Sequence, residues 1–159
     1  MQLEKPHLVA DVALEDVRAA LSAWSWLLED GRWSPLLVGA AGDVFLASSQ
    51  GVFRLDTGVG ELERIAENES GFHESLRDPA MVHDWLLEPV VEELRANGKE
   101  LGPGQCYSFT ILPIFEEGSY KAENRIVRPV MEHLRVTGDI HSQINGLTDG
   151  DKVRIKVAE

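Results

Sequence analysis

The chain has 159 residues, 43% of them hydrophobic, enough to bury a core and too many for a disordered polypeptide. Its 27 acidic and 15 basic residues leave a formal net charge of -12, which argues against a binder of nucleic acid or anionic membrane, since either needs a basic face. One cysteine rules out an internal disulfide and points to a reducing compartment.

Residues 1–10 lack a basic-then-apolar leader pattern, and no window reaches membrane-spanning length, so a cytoplasmic location is expected. A single domain over residues 1–159 is expected as well, with an N-terminal helix in 1–32 and an α+β body in 33–159. The first helix is predicted from Leu14 to Glu29. Leu14, Val17, Leu21, Trp24 and Leu28 recur at spacings of three and four, and Glu15 and Asp16 in the first turn suit the helix dipole. Trp33 to Gly42 reads as a connection with a short apolar run, Leu36 to Val38. Asp43–Ser48 and Val52–Asp56 form a predicted hairpin around Gly51, and Glu61–Ala66 a third antiparallel strand.

Helical spacing returns from Gly71 to Asn97, first as a short piece from Phe72 to Arg77. Pro79 is placed to open the next helix, where a missing N–H costs nothing, and Pro89 inside it predicts a kink or break. Gln105–Ile111 is the clearest strand. Its Tyr107, Phe109 and Ile111 alternate with Cys106, Ser108 and Thr110, so helices are expected on the Tyr107/Phe109 face. Asn124–Arg128 reads as a further strand and Pro129–Asn145 as a helix. Gly138 inside that helix costs roughly 1 kcal/mol relative to alanine. Lys152–Val157 alternates like a last strand. The sum is α+β: a mainly antiparallel sheet with helices packed on one side.

No catalytic constellation is evident. Gly39–Gly42 lacks the lysine of a phosphate loop, and no helix carries two histidines four apart with a glutamate between them. Neither a metal site nor a cofactor is expected. His141 falls on the apolar face of the last helix and reads as a hydrogen-bonded core histidine; Cys106 reads as a buried, inert thiol. Trp24 and Trp85 fit helix faces. Trp26 lies off the stripe, either closing the core edge or open to a partner.

The acidic excess is concentrated in residues 61–100, with eleven acids against four bases. Its run Glu61, Glu63, Glu67, Glu69 and Glu74 reads either as a solvated face or as a docking surface for a basic protein such as a nuclease.

The C-terminal half carries a resemblance. Gly104-Gln105-Cys106-Tyr107-Ser108-Phe109, Pro113, Gly118-Ser119-Tyr120, Glu123-Asn124, Glu132-His133-Leu134, Gly138-Asp139-Ile140-His141-Ser142-Gln143-Ile144 and Asp149-Gly150 together resemble the C-terminal domain of bacterial type VI secretion immunity proteins. Gly42-Asp43-Val44-Phe45, Gly51 and Leu55-Asp56 extend the likeness back to about Trp33. Glu117-Gly118-Ser119 departs from the paired glycines that members often have before the tyrosine. The resemblance implies an α+β body without catalysis, a cognate toxin as partner, and neutralisation of a DNA-degrading effector. It transfers no toxin-contact motif, and it marks Tyr107, Gly118, Asn124, Gly138 and His141 as fold-determining. The competing readings are a small-ligand sensor with a pocket lined by Tyr107, Asn124, His141 and Gln143, and a hydrolase using His141 with Asp139 or Cys106.

Overall fold

The computed structural model describes residues 3–29 and 31–147. The fold is α+β with antiparallel strands, as the sequence implies. Four strands form one sheet in the order β1 (Ser34–Val38), β2 (Val44–Ser48), β3 (Gly51–Asp56), β4 (Glu61–Ala66). A ribbon of β5 (Gln105–Phe109) and β6 (Arg125–Pro129) joins it where the Tyr107 N–H donates to the Ala40 carbonyl at 2.7 Å. The predicted strand Lys152–Val157 lies outside the described residues.

β1 is an addition to the predicted order. The stretch expected to be a connection with a short apolar run, Leu36 to Val38, is a strand preceded by Pro35, and a bulge separates Pro35 from Leu37 in the pairing with β2. Proline is tolerated there because β1 is an edge strand, whose outer N–H groups need no ladder partner.

The first helix is not continuous. α1 (Leu14–Ala20) tightens into a 3-10 turn at Leu21–Trp24 before α2 (Ser25–Leu28). Val17, Leu21, Trp24 and Leu28 are buried as the spacing predicts, but Leu14 is 39% exposed. The tightened turn packs against α6 (Val130–Ile144). There the Trp24 indole N–H donates to the Leu134 carbonyl at 3.0 Å. Gly138 explains how α6 comes so close: a Cβ at that position would lie 2.7 Å from the Ala23 carbonyl oxygen. The glycine that reads as a weak point in an isolated helix is therefore a close-approach site between two helices.

Along the chain from β4 to β5 the remaining helices follow the predicted punctuation. α3 (Glu69–Ser75) begins three residues before the predicted Phe72, because the Asn68 side chain accepts from the Gly71 N–H at 2.8 Å and caps it. Asp78 caps α4 (Pro79–Trp85) in the same way. The break before Pro89 is real: α5 (Glu88–Ala96) starts after Leu87, which turns the chain in the left-handed region at φ 50°.

Alternation along β2 divides the core in two. Val44 and Leu46 join Val17, Trp24, Val130 and Leu134 on one face of the sheet. Phe45 joins Phe72, Trp85, Leu86, Leu94 and Tyr107 on the other. Helices thus cover both faces, which the one-sided expectation did not include. β5 is buried the same way: Cys106 belongs to the cluster with α6 and Tyr107 to the cluster with α5. Trp24 alone, fully buried, contributes about 4–6 kcal/mol of apolar transfer.

Candidate functional site

Where the two strand systems and α6 meet, a buried polar network replaces apolar packing. Gly42 and Asp43 come from the β1–β2 turn, Thr57 from the turn after β3, Ser108 from β5, and His133 and His141 from α6. The Ser108 hydroxyl lies 2.6 Å from His133 Nδ1. His133 Nε2 lies 3.0 Å from both the Gly42 carbonyl and the Thr57 hydroxyl. A carbonyl only accepts, so Nε2 carries the proton and Nδ1 accepts from Ser108. Burial pushes the His133 pKa down to about 4, which keeps the ring neutral. His141 Nε2 donates to the Thr57 carbonyl at 2.9 Å, as expected of a hydrogen-bonded core histidine.

Two glycines admit these rings. At Gly42 (φ +100°) a Cβ would sit 2.5 Å from His133 Nε2, and at Gly60 (φ +72°) one would sit 2.8 Å from His141 Nδ1. Both positions need a left-handed backbone and a missing side chain at once.

Asp43 accepts from the Thr57 N–H at 3.1 Å, and its carboxyl is pushed up to about 7, first by burial and then by the Asp56 charge. Arg125 is 3% exposed. Its guanidinium donates to the carbonyls of Ala41 (2.9 Å) and Tyr120 (3.1 Å) and sits 4.1 Å from the centre of the Phe109 ring. The Tyr120 hydroxyl donates to Asp56 at 2.9 Å. Ser108 and His133 have the spacing of a nucleophile and its base, but both are fully buried, and a carbonyl stands where a triad would need a carboxylate. The chemistry of this cluster is cross-linking: it holds two turns, a strand and a helix in register.

The five predicted acidic positions lie on β4, on α3 and between them, and all five are exposed. Glu63 pairs with Arg54 at 3.0 Å. Trp26 is half-buried: its indole donates to the Gly138 carbonyl at 3.2 Å and its ring stacks on Trp24. Packing therefore accounts for it.

The residues named for a ligand pocket are not brought together. The Tyr107 hydroxyl donates to the Lys99 carbonyl, and Asn124 clamps a loop through Ile111 and Ser119. His141 is buried against Thr57, and exposed Gln143 donates to Asp139 on the same helix. Asp139 thus accepts from Gln143 while the His141 ring is engaged by Thr57. Cys106 is fully buried and its thiol is pushed up to about 12 by burial, so neither arrangement of the hydrolase reading forms. Among the described residues no group of three or more His, Cys, Asp or Glu could hold a metal, and no helix is long and apolar enough to cross a membrane.

Sequence reasoning reached His141 and missed His133, Thr57 and Asp43. The available signal was the spacing His133–Thr137–His141, one polar stripe at four-residue intervals along α6. The turn glycines that receive the rings lie far away in sequence, and nothing local announces the pairing.

No curated protein matches the chain. A family model does: residues 66–141 match T6SS immunity protein Tdi1, C-terminal. The match runs from the end of β4 to the buried histidine of α6, so it takes in α3 to α5, the β5–β6 ribbon and most of α6, and leaves the β2–β3 hairpin outside. Residues 66–141, just under half of the chain, are thus similar to the C-terminal domain of the T6SS immunity protein Tdi1.

Proposed function

We propose that this chain is a cytoplasmic immunity protein that neutralises a cognate toxin by occupying its surface, and that it transforms no substrate. The family match over residues 66–141 carries the reading. In the proposal the toxin is a basic nuclease effector, and the acids Glu61, Glu63, Glu67, Glu69 and Glu74 form part of the surface that meets it. Support comes from the net charge of -12 and from the exposure of all five carboxylates. A nuclease must be basic to hold nucleic acid, and an acidic inhibitor competes for that same surface while its field accelerates encounter. Trp26 is left out of the contact surface because its indole is engaged by Gly138.

The test is protection. The toxin encoded beside this chain's gene is expressed in the cytoplasm of a sensitive host with and without the chain. Restored growth and intact chromosomal DNA are expected. Continued killing at a level of soluble chain exceeding that of toxin would refute the proposal.

A further inference from the structure

A groove of about 820 Å³ lies between the N-terminal segment and the outer side of β1. Its apolar lining includes Val9, Val12, Leu14 and Leu36. Leu14 heads the predicted core stripe of the first helix, yet it is 39% exposed and faces this groove. Residues 8–10 cover only the far end of β1, through Ala10 N–H to the Val38 carbonyl at 2.9 Å and Ala40 N–H to the Leu8 carbonyl at 2.8 Å. An ion pair of Lys5 with Glu88 and a hydrogen bond between His7 and Glu92 tie this segment to α5, so the groove has a fixed wall.

The rim is acidic. Asp11 stands on one side and Glu69 of α3 on the other, both exposed, and no lysine or arginine is among the described residues that line it. Glu69 also belongs to the acidic run. An apolar centre with a charged rim is the anatomy of an interface hot spot. Pro35 on β1 lacks an N–H, which disfavours addition of a full strand and leaves side-chain insertion as the mode of contact.

We infer that this groove receives an apolar anchor of the cognate toxin, carried on a segment flanked by lysine or arginine. The inference rests on the immunity reading above and deepens it by naming the contact. Complementarity selects the occupant: the floor takes an aliphatic or aromatic side chain, while Asp11 and Glu69 take its basic neighbours.

The experiment measures binding of the purified, catalytically inactivated toxin domain encoded beside this chain's gene, by calorimetry at two salt concentrations. The full chain is compared with Leu14→Arg, Asp11→Lys, Glu69→Lys and the exposed control Glu116→Lys, each checked for an unchanged thermal melt. Leu14→Arg should weaken binding at least tenfold. Each charge reversal should weaken it severalfold and flatten the salt dependence, and Glu116→Lys should bind like the unaltered chain. Equal affinity of Leu14→Arg and the unaltered chain would overturn the inference and leave the immunity proposal standing. No binding by the unaltered chain would overturn both. A chain dimer that Leu14→Arg makes monomeric would assign the groove to a second copy. That result overturns the toxin as occupant.

Discussion

Arg125 and Gly138 are the positions where a single side chain decides most. The Arg125 guanidinium is buried against backbone carbonyls and makes no ion pair among the described residues, so its removal leaves the Ala41 and Tyr120 carbonyls without that donor. Arg125→Leu is expected to cost about 3 kcal/mol of unfolding free energy in urea. Helix propensity alone says that Gly138→Ala should gain about 1 kcal/mol. The 2.7 Å approach to the Ala23 carbonyl reverses the sign, and a loss of about 2 kcal/mol in the same measurement is expected. An unchanged or raised midpoint would show that the two helices have room to part. Gly138 also illustrates why local rules mislead: its neighbour is 115 positions away in the chain, and no spacing within α6 encodes it.

The pH response belongs to the elements that His133 and Asp43 join. His133 has its folded pKa lowered to about 4 from 6.5, so its contribution is present above pH 6.5 and lost as pH falls through 4. Asp43 has its folded pKa raised from 3.8 to about 7. Its contribution is present below pH 3.8 and is lost as pH rises through 7. Between pH 4 and 6.5 the two slopes oppose each other, and the unaltered chain should hold a nearly constant urea midpoint. Asp43→Asn removes one slope, and its stability should then fall by about 3 kcal/mol as pH drops from 6.5 to 4. A flat profile in Asp43→Asn would mean that His133 is not held neutral. Around these residues, the elements differed in how legible they were. β2, β3 and β4 follow from alternation, and α4 from Pro79 and its capping Asp78. β1 is short and bulged, with only a three-residue apolar run to mark it, and the first helix reads as continuous because a 3-10 turn keeps the apolar residues on one face. The network itself was illegible because its members come from four separate stretches of chain.

At the scale of the whole molecule, the fold class and the likeness to an immunity family are readable in the sequence, because composition, punctuation and scattered C-terminal residues agree with one another. The matched segment is shorter than the resemblance suggested, beginning at residue 66 and not near Trp33. The proposed contact surface is legible in the sequence only as charge. The outward turn of Leu14 is not legible, since Leu14 fits a core stripe in sequence and is exposed in the fold. If the acidic exterior steers a basic partner, association should slow at least tenfold between 50 and 500 mM salt, while dissociation changes much less. The most direct test is the stoichiometry and affinity of the purified chain with the neighbouring toxin, by calorimetry at physiological salt. The account predicts a 1:1 complex of nanomolar or tighter affinity that abolishes the toxin's activity in the same tube; a toxin that neither binds nor loses activity at saturating chain would contradict it.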